Sequence, residues 1–557
     1  MRSRVLMAAA AVAFLASPSS AQFSHTILGP AAGDNFGSEV AGAGDVNGDG
    51  FEDVVIGSPF ADPSGLINAG QAFVHSGLDG TLIHTFNGGA FLDLFGRSVA
   101  GVGDLNNDGK AEVAVGAFFA DSNGPEAGTV DVFDGATGLL FASINGTNTG
   151  DQMGQSVAAA GDVNQDGVPD LLVGAWAADG AGGANSGEVL VVSGTNFQPI
   201  YTFQGAGAGD NFGIDLDGIG DADNDGFVDV AIGAWAADAG GANTGTVTIH
   251  SGQTGFLHQV IPGTAAGDEF GASLGGIGDL NLDGVGDLVV GAPGRDGPAG
   301  VDAGAAYVLS GSNAAQFHVF DGIAAGEQFG NDVAGAGDRN ADGFADVIVG
   351  VQFRFVLGAN QGAAIVFDGE DGSIMRSYFG AAAGDRFGRS VGGRFDADGD
   401  GVSDIAIGSP ANDIAGGDAG MVRVFFECLV KPKPYGAGCT GSGSFTPSLS
   451  LTGCTKLGGA VNFSINGGLG GSITVLMLGQ DRASIPVGAG CDLLITPVAF
   501  SLPLPLGGVG PGNGSVAFAS VIPVASPPGR VTMQAYILDP GAALGASVTN
   551  GIEINIP

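Results

Sequence analysis

Asp45-Val46-Asn47-Gly48-Asp49-Gly50-Phe51-Glu52-Asp53 is the first of seven copies of one block. The others are DLNNDGKAE from Asp104, DVNQDGVPD from Asp162, DADNDGFVD from Asp221, DLNLDGVGD from Asp279, DRNADGFAD from Asp338 and DADGDGVSD from Asp396. Their starts lie 59, 58, 59, 58, 59 and 58 residues apart, a period that marks a repeat architecture. The surroundings repeat too. A Phe-Gly pair stands about nine residues upstream, and an apolar run such as Val54-Val55-Ile56-Gly57 follows directly; then come a Gly-rich loop, another β-rich run and a turn. Alternating β-branched residues read as strands, and Gly, Asn and Asp clusters as their turns. In the first repeat this predicts strands near 36–44, 53–57, 71–75 and 81–86. A four-stranded sheet of this kind cannot bury both faces alone, so the units must pack radially, one blade each. The expectation is an all-β chain with a seven-bladed β-propeller.

The two ends of the repeat region fit closure. Residues 23–29 resemble the fourth strands that precede later repeats, such as 82–88, whereas the seventh repeat stops after its third strand, 421–426. The N-terminal strand is therefore expected to complete the last blade, leaving no open ring edge. The Phe-Gly pairs at Phe36, Phe95, Phe212, Phe270, Phe329 and Phe387, the acidic loops, and the triplets Gly57-Ser58-Pro59, Gly291-Ala292-Pro293 and Gly408-Ser409-Pro410 resemble the FG-GAP repeats of integrin α-subunits over residues 22–427. The third repeat departs with Met153-Gly154, and Phe118, Trp176, Trp235 and Gln352 replace the Pro in repeats two, three, four and six.

Each block offers oxygen side chains at positions one, three, five and nine, a Gly at six for the tight turn and a free carbonyl at seven. Alternate residues of a tight loop converge on one point, and hard oxygen ligands in that number suit calcium. The ligands read in this way are Asp45, Asn47, Asp49, Phe51 and Asp53; Asp104, Asn106, Asp108, Lys110 and Glu112; Asp162, Asn164, Asp166, Val168 and Asp170; Asp221, Asp223, Asp225, Phe227 and Asp229; Asp279, Asn281, Asp283, Val285 and Asp287; Asp338, Asn340, Asp342, Phe344 and Asp346; and Asp396, Asp398, Asp400, Val402 and Asp404. Position seven contributes only its backbone carbonyl. The last carboxylate comes at nine and a strand follows, so a helix-loop-helix site is excluded. The competing interpretation is a set of ordinary Asp/Asn/Gly turns bonded to their own backbone. The resemblance implies calcium at these same positions, up to seven ions in all.

In a propeller the A–B loops share one face, and the B–C and D–A loops share the other. The resemblance implies ligand recognition on the second face. Trp176 and Trp235 occupy equivalent places just after strand B, with Phe118, Phe119 and Phe60 at or beside the same place in the preceding repeats. They are candidates for a binding hot spot, the alternative being packing between blades or pinning of their own loops. His25, His84, His258 and His318 fall in fourth strands of different blades, and His75 and His250 end third strands. Spread around the ring, they cannot converge on one catalytic site.

The formal net charge is −41; the first 21 residues carry +2 and residues 428–557 carry +1, leaving −44 on residues 22–427. Such a field repels nucleic acid and anionic membranes. Arg2 and Arg4, an apolar stretch over 5–16 and Ser19-Ser20-Ala21 ahead of Gln22 read as a signal peptide over 1–21, with a retained signal anchor as the alternative. No later stretch is apolar for the ~20 residues a membrane span needs. After residue 427 the composition turns to Gly, Pro, Ser and small apolar residues. Lys431-Pro432-Lys433-Pro434 suggests a linker over 428–436, and four β-rich runs suggest a small β-sandwich-like domain over 437–557. Cys428, Cys439, Cys454 and Cys491 are an even set in an exported chain, candidates for two disulfides, with Cys439 to Cys454 as one guess. The chain is expected to be a secreted or cell-surface monomer, a calcium-binding adhesion protein with an extracellular protein or glycan partner and no catalytic site. An extracellular hydrolase or lyase using the channel mouth and a purely structural surface protein are the alternatives.

Overall fold

The computed structural model describes residues 24–426, apart from 341, 357 and 358, and beyond them the C-terminal strands named below with Thr549. The candidate signal peptide, Cys428, Cys439 and Cys454 lie outside the described residues, and of Cys491 only the backbone is described. Residues Ser24–Glu427 form one compact unit.

That unit is a ring of seven four-stranded antiparallel sheets, a β-propeller. Blade 1 is built from Glu39–Gly44, Asp53–Ser58, Gln71–His75 and Leu82–Asn87, strands A to D from the centre outward. Blades 2 to 6 repeat this order, with A strands at Ser98–Gly103, Met153–Gly161, Leu216–Gly220, Ser273–Gly278 and Val333–Gly337. Blade 7 takes its A, B and C strands from Val391–Phe395, Asp404–Ser409 and Met421–Phe425. Its D strand is Ser24–Leu28, paired antiparallel with Met421–Phe425 from Ser24 opposite Phe425 to Leu28 opposite Met421. The ring is thus closed by backbone hydrogen bonds between the two ends of the repeat region.

The B strands are buried along their whole length in every blade. Both sheet faces are covered because each blade packs on two neighbours. Among the described residues the buried apolar side chains of the propeller form seven clusters, one at each blade junction. The Phe-Gly pair is the hinge of each junction. Phe95 leaves the strand register, donates its N–H to Ala69 O at 3.0 Å and bridges Gly70 of the previous blade, and its ring is buried. A side chain at Gly70 would put its Cβ 2.1 Å from Phe95 O, which is why the partner is glycine. This also explains why the first A strand begins at Glu39 rather than at 36: Phe36 is spent on the junction with Gly420. Met153, standing in for Phe, bridges Gly128 in the same way.

Beyond the propeller, Lys433–Tyr435, read from sequence as linker, pairs as a strand with Gly551–Ile556. Gly529–Leu538 continues that sheet beside Ile473–Gly488, which pairs with Cys491–Pro505. Ser448–Gly453, Ala460–Gly470 and Gly510–Val521 form a separate three-stranded sheet. No helix among the described residues is long and apolar enough to cross a membrane.

Candidate metal centres and the opposite face

The seven acidic loops join strands A and B and share one backbone design. The position-one carboxylate accepts the N–H of the position-six Gly in all seven, at 2.7–3.0 Å. Its other oxygen accepts the N–H of position five. The position-five Asp in turn accepts the N–H of position seven, at 2.8–3.0 Å. Such a coil requires left-handed backbone at position six, where φ is +88° at Gly50 and +79° at Gly401, and glycine adopts that without strain. Each of these bonds uses one lone pair of an oxygen that has two, although Oδ1 of Asp45 also accepts the N–H of Gly48. The loop therefore turns its carboxylates inward while leaving them able to take a cation.

Position nine lies deeper than the other acids of the loop. Asp53, Glu112, Asp170, Asp229, Asp287, Asp346 and Asp404 are fully buried. Asp53 accepts the N–H groups of Val46 and Asn47 at the loop start and of Gly77 in the C–D turn. Asp170, Asp229, Asp287 and Asp346 make the corresponding pairs of bonds. In blades 1 to 6 position nine thus locks the loop to the C–D turn of its own blade. Burial, ahead of the other influences, pushes Asp53, Glu112 and Asp346 up to about 7 and Asp170, Asp229 and Asp287 up to about 6. A nearby cation reverses that shift by favouring the ionised form.

Position three separates the loops into two kinds. In blades 4 and 7 it is Asp, and there Asp221, Asp223 and Asp225, and Asp396, Asp398 and Asp404, bring carboxylate oxygens within 4.8 Å of one another. Asp223 Oδ1 is buried with no hydrogen-bond partner among the described residues, an arrangement that fits a ligand oxygen. In the other five it is Asn. The Asn47, Asn281 and Asn340 amides donate to the position-five carboxylates of their own loops, at 2.7–2.9 Å, relieving part of the repulsion that blades 4 and 7 retain. Oxygen donors in this number and at this spacing fit a hard divalent ion.

The opposite face carries the B–C and D–A loops, tied together by bonds such as Trp176 Nε1 to Gln152 Oε1 at 2.8 Å. The five aromatics singled out there do not form an exposed row. Phe118 is buried with its ring 4.1 Å from that of Phe119, a correction to its reading as a binding residue: it fills its own loop. Trp176, Trp235 and Phe119 are half-buried, and Phe60 is exposed. Blade 6 has a different B–C loop, a short hairpin of Phe355–Val356 and Ala359–Asn360 footed on a buried ion pair between Arg354 and Glu327 at 3.1 Å.

Much of the negative charge serves a purpose that sequence reasoning missed. Asp93, Asp151, Asp210, Asp268 and Asp385, each two residues before the Phe or Met of its junction, accept an N–H of the D–A loop at 2.7–2.9 Å. Asp62, Asp121, Asp179, Asp238, Asp296 and Asp413 close the B–C loops in the same manner. Their recurrence at the repeat period was the available signal. The central channel, about 580 Å³, is walled largely by Gly and Ala of the A strands. Asp215 and Asp332 at one end accept the N–H groups of Leu274 and Val391, tying adjacent blades as Ser98, Ser156, Ser273 and Ser390 do through carbonyls. The histidines also serve junctions: His25, His84 and His318 each bond to a C–D turn carbonyl of the next blade.

The FG-GAP repeat family matches residues 36–75, 95–133, 153–192, 270–309 and 387–425, which are blades 1, 2, 3, 5 and 7. Blades 4 and 6 fold alike outside the matched ranges. The chain is 34% identical to integrin alpha-8 of Mus musculus over 229 residues, 38% of this chain and 21% of that protein. It is 32% identical to integrin alpha-8 of Homo sapiens over 244 residues, 41% of this chain and 21% of that protein. With integrin alpha-V of Gallus gallus it shares 30% identity over 236 residues, 40% of this chain and again 21% of the relative. The chain thus spans about a fifth of the length of these relatives.

Proposed function

We propose that this FG-GAP repeat protein, whose propeller is of the integrin-α-like type, is a secreted, calcium-loaded binding module. On this reading it holds an extracellular protein or glycan on the face opposite its acidic loops. The observation that carries the proposal is the identical backbone coil of all seven loops, which turns the carboxylates of positions one and five inward at one end of every blade. When bound, calcium supplies a double positive charge that offsets the repulsion among those carboxylates. The chain's own residues do the rest. Positions one, three and five present oxygens, the buried acid at nine joins the loop to the C–D turn in blades 1 to 6, and the Phe-Gly junctions carry that rigidity from blade to blade. The face built on B–C and D–A loops is then held in one shape, and a preorganised surface loses less entropy on binding a partner.

Export by residues 1–21 and a disulfide-bearing domain over 437–557 belong to the same proposal, as does a monomeric state. The test is capture by the immobilised full-length protein from panels of extracellular proteins and glycans, in millimolar calcium and again in chelator. A partner retained only with calcium is the expected result. Equal capture in chelator, or turnover of a glycan or ester substrate in place of retention, would refute it.

A further inference from the structure

We propose that the seventh acidic loop, Asp396 to Asp404, is a calcium-operated latch on the ring. The proposal rests on the reading of the loops as calcium sites and concerns what one of them does. The ring is covalently continuous everywhere except within blade 7, where Ser24–Leu28 meets Met421–Phe425 through backbone bonds and a long one from Arg423 to the Ser24 hydroxyl, with no peptide link. To open there, blade 7 must also part from blade 1.

The loop contact across that junction carries a charged side chain at a place where the others carry none. The eighth loop position is Ala111, Pro169, Val228, Gly286, Ala345 or Ser403 in blades 2 to 7, uncharged in each case. Ala111, Pro169, Val228 and Ser403 stand against the glycine that precedes the first Asp of the previous blade, namely Gly44, Gly103, Gly161 and Gly337. At the closing junction the glycine is replaced by buried Phe395, and the eighth position of blade 1 is Glu52. Glu52 donates its N–H to Asp396 O at 3.2 Å, as Ala111 does to Asp45 O and Gly286 to Asp221 O, and in addition its carboxylate accepts the N–H of Asp396 at 2.7 Å. The neighbouring Phe51 ring covers Gly399, where an added Cβ would come within 2.8 Å of it. The blade 7 loop is therefore held directly against blade 1.

It is also one of the two loops with four Asp residues and no Asn at position three to relieve them, and Glu52 places a further carboxylate beside it. Like charges at contact distance repel by about 1 kcal/mol per pair even in a water-like medium. Without a cation the closing junction carries the densest negative charge of any loop contact. With one, the same residues become a tie between the ends of the ring.

Hydrogen exchange on the full-length protein tests this, reading Ser24–Leu28 against Leu216–Gly220 in blade 4, with calorimetry counting bound calcium. At ten times the dissociation constant, a site that binds only the closed form suppresses opening about elevenfold. Calcium should slow exchange at Ser24–Leu28 by about that factor. Asp400→Ala should abolish the slowing, whereas Asp225→Ala at the equivalent place in blade 4 should leave it intact. Glu52→Gln keeps an acceptor for Asp396 N–H and removes the charge, and should slow exchange at Ser24–Leu28 in chelator. Calcium binding without protection of Ser24–Leu28, equal effects of the two Asp variants, or no effect of Glu52→Gln would overturn the latch while leaving the calcium sites standing. Absence of calcium binding would overturn both.

Discussion

Chelating calcium should cost the propeller most of its stability, and the size of the loss follows from the number of loops. A site that binds only the folded form, at ten times its dissociation constant, stabilises by about 1.4 kcal/mol, so seven equivalent sites contribute about 10 kcal/mol. That is comparable with the whole stability of an ordinary domain, roughly 5–15 kcal/mol. Spread over about 400 residues at about 2.1 cal/mol/K each, it corresponds to a melting temperature about 12 °C lower in chelator. The structure supports counting all seven, because every loop makes the same position-one and position-five bonds. Scanning calorimetry in calcium and in chelator, with sodium chloride matching the ionic strength, separates site binding from charge screening. An unchanged melting temperature, or an equal rise produced by sodium chloride alone, would refute the reasoning.

Two further outcomes follow from the fold. Phe329 is buried at the junction of blades 5 and 6, with its ring edge-on to Phe367; Phe329→Ala should cost about 3–5 kcal/mol in urea unfolding. Phe329→Met, the residue that blade 3 uses at this place, should cost less than about 1.5 kcal/mol, and equal losses would contradict the hinge role. Six of the buried position-nine acids, Asp53, Glu112, Asp170, Asp229, Asp287 and Asp346, are pushed up to about 6 or 7 in the fold, against about 4 when unfolded. Between those values the native state holds protons that the unfolded state has released, so calcium-free stability should fall as pH rises from about 4 to about 7. Urea midpoints in chelator that rose over that range would show the carboxylates to be ionised and stabilised by the fold itself.

The blade count, the strand order and the closing role of Ser24–Leu28 were legible in the sequence because each depends on period and alternation, which survive without knowledge of contacts. A strand needs only its own pattern and its turns to declare itself, and seven copies leave the ring little choice. The acidic loops were legible as oxygen-rich coils for the same local reason. What tertiary structure decided was the use of each carboxylate. Asp53, Asp170, Asp229, Asp287 and Asp346 look in sequence like a fourth oxygen ligand, and each also bonds to a C–D turn some two dozen residues away. Phe118 was legible as an aromatic equivalent to Trp176, and only the packing decided between a binding residue and a buried one, in favour of burial. Only the closed ring sets Glu52 against Asp396, 344 residues along the chain. Spacing along a chain reports which groups a turn can gather. Only the packed ring brings together groups far apart in sequence, and desolvation and partner choice are properties of that packing.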